Sequence, residues 1–457
     1  MDTLIYDGII VTLDERDSWY NPGYVFIKGN KIREVNSGQP PKELFSQAKK
    51  VIKATDKLVM PGLINSHTHA AMSLFRGLAD DLPLDKWLNT YIFPVEKAFV
   101  NEEFTYWGTL LAGWEMITSG TTCFADGYFC EDAAVKACLD LGIRGILAQG
   151  IIDFPAPGVP DFKKNIFYAE QFLKKWQGVS ELITPAIFAH APYTCSDKTL
   201  KFAKRLANDY QIFFFIHVAE TKWEVEEIKK IHGFTPVAYL YHLGILDPNT
   251  VLVHANWLTE EEMAIIRDTE VKVVHCPESN LKLASGLSPV PKLLDKNILV
   301  ALGTDGCASN NNLDLFQEMN TCAKIHKGLS LDPTIMPTQT VLKMTTVFPA
   351  QMFSLNIGVL KKGNFADLII INFKQPHLFP FYNPYSHLIY AVHGTDIETV
   401  IINGKIIMED KKPLTIDTQE IKTHIYNLAN NIRAALIPKS LKTQGDNKKE
   451  RGKDDRE

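Results

Sequence analysis

Much that would assign these 457 residues quickly is missing from them. The seven cysteines (Cys123, Cys130, Cys138, Cys195, Cys276, Cys307 and Cys322) are odd in number, scattered and without a CxxC pair. That argues against a disulfide framework or a cysteine zinc site, and reads as reduced cytosolic thiols. No stretch of ~18 apolar residues is present, so no membrane-spanning helix is expected. The start, MDTLIYDGIIVTLDERD, lacks the basic region and long apolar run of a secretory signal, and the cytoplasm is the expected location. There is no basic excess: the net charge of −5 argues against a broad nucleic-acid footprint. No GxGxxG follows a strand-like run, which removes the main support for an open dinucleotide-binding sheet.

What is present is the composition of a soluble globular protein, 46% hydrophobic and 22% charged. The length predicts one large domain and a smaller one. Residues 1–57 alternate and turn, with Tyr-Asp-Gly and Lys-Gly-Asn-Lys marking hairpins. Residues 357–412 look the same, and INGKII there echoes IKGNKI near the start. The two ends are expected to pair into one small β domain. Between them, over 58–356, eight apolar runs alternate with helix-period stretches: VMPGLINSH, TTCFADGY, RGILAQGII, TPAIFAHAP, IFFFIHVAE, TVLVHANW, VKVVHCPES and ILVALGTDG. Near-continuous apolar strands separated by helices predict a parallel sheet covered on both faces. Eight such units predict an α/β fold of the closed (β/α)8 kind, whose usual length is ~250 residues. Residues 413–457 read as a helix over 415–436 followed by a charged tail, expected to be disordered.

Such barrels concentrate chemistry at the C-terminal ends of their strands. There the runs place His67 and His69, His190, His217 with Glu220 three residues on, His254, His275 and Asp305. Residues two apart in a strand share a face, so His67 and His69 can both point into the barrel mouth. His217 and Asp305 can join them, a set that suits Zn²⁺ or Fe²⁺ with a position left for water. His275 is expected to be structural or to support a ligand. His232, His242, His326, His377, His387, His393 and His424 fall in helices, loops or the β ends and are read as structural.

The segments PGLINSHTH, HVAE, VHA, HCPESNLKL and GTDG, in this order, resemble the amidohydrolase superfamily, and within it the 5′-methylthioadenosine/S-adenosylhomocysteine deaminase group. The resemblance implies a barrel with one divalent ion per subunit, flanked by a β-sandwich from both chain ends. It implies metal ligands at His67, His69, His217 and Asp305. Glu220 would be the proton shuttle, and His254 the contact to the reacting water and oxygen. It also puts His190 at the substrate and Glu96, in the apolar loop YIFPVEKAF, on the ribose hydroxyls. Trp87 is placed to cover the ring or to pack in the core. TPAIFAHAPY contains no lysine, whereas two-metal members carry a carboxylated lysine on that strand, so a mononuclear site is expected, with Zn²⁺ ahead of Fe²⁺. A homo-oligomer, dimer or tetramer, is also implied.

The activity this implies is hydrolytic deamination of an adenine nucleoside: 5′-methylthioadenosine, adenosine or S-adenosylhomocysteine. The group places arginines near the end of strand three and in the loop after it. Here the strand carries Gln149 and DFPAPGVPDFKKN has no arginine. Lys163 or Lys164 would offer a point charge without a bidentate fork, so a nucleoside with no amino-acid tail is at least as well suited as S-adenosylhomocysteine. The alternatives are the same machinery acting on guanine, cytosine or an s-triazine, and a metal-free scaffold.

Overall fold

The computed structural model describes residues 2–83 and 86–436; the tail expected to be disordered, 439–457, lies outside them. Two sheets organise the chain. The first is a mixed nine-stranded sheet from both chain ends, in which Lys57–Pro61 pairs parallel with Thr3–Val11 and antiparallel with Leu368–Asn372. Ile5, Val25, Ile27, Val59, Leu368, Ile370 and Ile401 share one of its cores. The alternating residues Leu58, Met60, Ile369 and Ile371 belong instead to the large core shared with the barrel helices. That is the period-two division a sheet with two covered faces requires.

The second sheet is the barrel. Its eight parallel strands run in chain order: Leu63–Thr68, Thr121–Tyr128, Arg144–Ile151, Ile183–Ala189, Phe214–Val218, Thr250–His254, Lys272–His275 and Val300–Leu302. Alternation sorts each strand. Cys123, Ala125, Ala148, Phe188, Phe215 and Val253 fill the interior, whereas Phe124, Leu147, Ile187, Ile216 and Leu252 face the helices. The eighth strand closes onto the first through Asp305 N–H to His67 O at 3.0 Å, and Thr304 N–H to Asn65 Oδ1 at 3.0 Å. Gly303 makes this approach feasible, because a Cβ there would sit 2.7 Å from His67 N.

Helices cover the outside, among them Glu102–Thr118, Asp197–Asp209 and Glu260–Asp268, each begun by a side-chain cap from Asn101, Ser196 or Thr259. Thr418–Leu436 packs on Glu102–Thr118, with His424 stacked on Trp107 at 3.8 Å. Among the described residues no helix is long and apolar enough to cross a membrane.

Three local expectations change. The run VMPGLINSH is not one barrel strand: Lys57–Pro61 joins the chain-end sheet and only Leu63–Thr68 joins the barrel. The Tyr-Asp-Gly segment is no hairpin turn but a register shift inside Thr3–Val11, with Asp7 at φ 63°. Glu96 lies in a helix, Phe93–Phe99, that follows a π-helical Trp87–Ile92. Pro94 suits its first turn, where the missing N–H is not needed.

Candidate active site

His67 and His69 leave the first strand at the barrel mouth. His69 is oriented by its Nδ1–H, which donates to Gly127 O on the second strand at 2.6 Å and leaves Nε2 free. Asp126 fixes the backbone beneath it, its Oδ1 accepting from Ala70 N at 2.8 Å and Thr68 Oγ1 at 2.9 Å. His217 follows Phe215 on the inward face of the fifth strand. Its Nε2 lies 3.3 Å from His67 Nε2. Asp305 Oδ1 lies 3.6 Å from His67 Nε2 and 3.4 Å from His69 Nε2.

These separations fit one cation. One ring nitrogen from each of the three histidines lies within 4.8 Å of the others. Tetrahedral ligands on bonds of about 2.0 Å would be about 3.3 Å apart. Burial pushes His67 down to about 4 and His217 well below the usual imidazole range, so both rings are neutral at pH 7 and offer lone pairs. Burial alone would raise Asp305; the facing imidazoles outweigh it and hold the carboxylate well below its ordinary range. Its Oδ2 accepts from Ser279 Oγ at 2.7 Å and Ser309 Oγ at 2.9 Å, leaving Oδ1 turned to the histidines.

Strict alternation would send His254 outward, since Val253 faces in. The chain turns left-handed at its φ of 72°, and the ring enters the mouth instead. Its Nδ1–H donates to Asn280 Oδ1 at 2.8 Å, and its Nε2 lies 3.8 Å from Glu220 Oε2. Asn280 Nδ2 donates to Asn256 Oδ1 at 2.8 Å, and Asn256 Nδ2 to Glu220 O at 3.0 Å. Glu224 receives the backbone N–H groups of Ala219 and Glu220 at 2.8 and 2.9 Å, fixing the turn that presents Glu220. Burial raises the Glu220 carboxyl above its ordinary range, which favours its proton-bearing form.

A cavity of 700 Å³ opens above these groups, lined by His69, Trp87, Glu96, His190, His217, Glu220, His254 and Asp305, with His67 buried beneath. Glu96 accepts from Tyr128 Oη at 2.5 Å, and burial pushes it up to about 7. His190 is held by Thr194 Oγ1 at 2.9 Å. Trp87 both packs and lines: it is buried, and its Nε1–H donates to Ala79 O at 3.0 Å. Gln149 turns its Oε1 to the Glu131 N–H, while Lys163 and Lys164 are exposed and outside the lining. His275 is fully buried beside Asn280.

Sequence reasoning missed Asn256, Asn280, Ser279, Ser309 and Glu224. The signal for Asn280 and Ser279 lay in the motif HCPESNLKL itself, a few residues beyond His275. Glu224 lay four residues beyond Glu220.

Comparison with known proteins identifies the family. The profile of the Amidohydrolase family matches residues 58–407. A 5-methylthioadenosine/S-adenosylhomocysteine deaminase of Syntrophobacter fumaroxidans is 44% identical over 434 residues, 94% of this chain and 98% of the relative. A 5′-deoxyadenosine deaminase of Methanothermobacter thermautotrophicus is 43% identical, over 85% of this chain and 90% of its own. Among solved structures, a zinc-bound adenosine deaminase from Xanthomonas campestris superposes with a TM-score of 0.91 at 34% identity, covering 95% of this chain and 99% of that one. An atrazine chlorohydrolase from Arthrobacter aurescens shares the fold, with a TM-score of 0.85 at 20% identity over 93% of this chain and 100% of its own. The chain belongs to the amidohydrolase family.

Proposed function

We propose that this protein is a metal-dependent hydrolase that deaminates an adenine nucleoside, releasing ammonia and the inosine analogue. The observation that carries the reading is the convergence of His67, His69, His217 and Asp305 with the buried Glu220 carboxyl and the His254 imidazole at one cavity. The relatives' names point to the same chemistry. His67, His69, His217 and Asp305 would hold one divalent ion, Zn²⁺ before Fe²⁺, and such an ion lowers the pKa of its water to about 7.

The remaining work falls to side chains. Asp305, anchored by two serine hydroxyls, accepts the proton that the attacking water gives up and aims the oxygen at C6 of the base. Glu220 passes its proton to the neighbouring ring nitrogen as that carbon becomes tetrahedral. His254, fixed through Asn280, steadies the oxygen. Protons relayed to the exocyclic nitrogen let ammonia leave. Glu96 accepts from the ribose diol, for which a carboxylate has two oxygens. His190 and Trp87 contact the base.

The cavity wall supports a finer reading. After the third strand it is formed by Phe154, Pro155, Ala156 and Pro157, with Phe93 edge-on to Phe154 at 5.7 Å. Among the described lining residues there is no arginine, and Lys97 is the single lysine. An apolar 5′ substituent fits this wall better than the zwitterionic tail of S-adenosylhomocysteine, whose burial without partners costs free energy.

The test is ammonia release from methylthioadenosine, 5′-deoxyadenosine, adenosine and S-adenosylhomocysteine, beside guanine, cytosine and an s-triazine, with Glu220→Gln as control. We expect the first three nucleosides to be turned over, S-adenosylhomocysteine at least tenfold less efficiently, and Glu220→Gln to be inactive. Turnover of free bases or triazines with no nucleoside activity would sink the reading. A purified chain that holds no metal and stays inactive after Zn²⁺ or Fe²⁺ addition would support the scaffold instead. Self-assembly as a dimer or tetramer belongs to the same proposal and is read by sedimentation.

A further inference from the structure

On the far side of Asn280 from His254 lies a second group of metal-type donors. His275 ends the seventh barrel strand, and Cys322 and His326 stand one turn apart on the helix Leu315–Ser330. A ring nitrogen of each histidine and Cys322 Sγ all lie within 4.8 Å of one another. The three residues are 0%, 0% and 4% exposed for His275, Cys322 and His326.

Two further observations set this group apart from ordinary core packing. Buried polar atoms nearly always have partners, yet the Nε2 atoms of both His275 and His326 have none. Glu318, one turn before Cys322 and so on the same helix face, is also fully buried. It accepts only from the neutral donors Asn310 Nδ2 at 2.6 Å and Glu278 N–H at 3.2 Å, and no lysine or arginine pairs with it among the described residues. Two orphaned nitrogens, a thiol and an uncompensated carboxyl describe a place that lacks a positive charge.

We propose that His275, Cys322 and His326 bind a second ion of the zinc class, structural in role and separate from the catalytic one. Two imidazoles and a thiolate are donors that zinc favours. Binding exchanges the Cys322 thiol proton for the metal, and that proton leaves to solvent. The ion would satisfy both idle Nε2 atoms, and its net positive charge would offset Glu318. It would also join the seventh strand to the Leu315–Ser330 helix behind Asn280, the residue that positions His254. This inference does not rest on the nucleoside reading: it holds or falls by metal content, whatever the substrate.

The catalytic donor set contains no sulfur, which separates the two sites spectroscopically. Full-length protein is loaded with Co²⁺, its metal content measured and its near-ultraviolet spectrum recorded. We expect two ions per chain and a thiolate-to-cobalt charge-transfer band. In Cys322→Ser the band should vanish and the content fall to one ion. One ion per chain without the band in the unmutated protein would overturn the proposal, as would a band unchanged in Cys322→Ser. Should that variant fail to fold, the unmutated protein's metal count and spectrum decide alone.

Discussion

Asn280 offers a sharp test of how the site is positioned. Its side chain makes two buried hydrogen bonds of 2.8 Å, accepting from His254 Nδ1 and donating to Asn256 Oδ1. Asn280→Ala removes both and leaves each partner without its mate. Two lost bonds at about 1 kcal/mol each, with part of the about 1–3 kcal/mol for each abandoned group, give a destabilisation of about 2–4 kcal/mol. Catalysis should suffer separately. His254, freed at Nδ1, no longer holds Nε2 on the developing oxygen, and losing one oriented donor of this kind costs about 10²–10³ in kcat. Asn280→Asp is the informative partner. It keeps an acceptor for His254 and loses the Nδ2 contacts to Asn256 and, at 3.5 Å, His275 Nδ1, so it should retain more activity than the alanine variant. The assays are urea unfolding for stability and ammonia release for kcat and KM, with metal content measured alongside. We predict a large fall in kcat with KM and the catalytic metal little changed. An alanine variant whose kcat stays within threefold of the unmutated enzyme would refute the claim that Asn280 sets His254.

Other expectations follow from the same geometry. Glu96 is pushed up to about 7 by burial, against the pull of the Tyr128 hydroxyl. Its folded pKa therefore exceeds its unfolded one: the stability it contributes is complete below about 4.5 and lost as pH rises through about 7, about 3 kcal/mol in all. A melting-temperature profile against pH should lose that decline in Glu96→Gln; an identical slope in both proteins would contradict the assignment. Arg144 grips Asp367 through Nε at 2.6 Å and a second nitrogen at 3.1 Å, tying the third barrel strand to the chain-end sheet. Arg144→Met should cost about 3–5 kcal/mol in urea unfolding, and adding Asp367→Leu should restore most of it. Chelation should abolish ammonia release, and Zn²⁺ or Fe²⁺ should restore it to the unmutated chain but not to His217→Ala, whose ion lacks one of its grips. Recovery of His217→Ala to the unmutated rate would remove that residue from the ligand set.

The barrel was legible because its strands are apolar on both faces and its helices are not. TTCFADGY became Thr121–Tyr128 without a residue of difference, and the run TVLVHANW holds Thr250–His254. The first run was harder for the same reason. Leu58–Pro61 and Leu63–Thr68 are both buried throughout, so hydrophobicity alone could not show that they serve different sheets. Among the polar residues, those at strand ends could be found by counting, which is why His67, His69, His217, His254 and Asp305 were singled out. Asn280 could not. It sits in the short helix Pro277–Lys282, and its importance comes from partners 24 and 26 residues away, a relation no local pattern encodes. Strand alternation alone would turn His254 outward; the left-handed turn that brings its ring into the mouth shows only in the backbone.

The passage from Pro61 to Leu63 carries a last implication. Gly62 crosses so close to Thr122 that a Cβ would lie 2.2 Å from its side chain, and the residues before and after it belong to opposite sheets. That joint is a spacer of fixed length. Adding or deleting one residue there would slide one strand by about 3.3 Å and turn its side chains over, so either the outer sheet would lose its seam or the leading pair of imidazoles would swing away from their companions. Surface loops of this protein can drift in length; this hinge between two frameworks cannot.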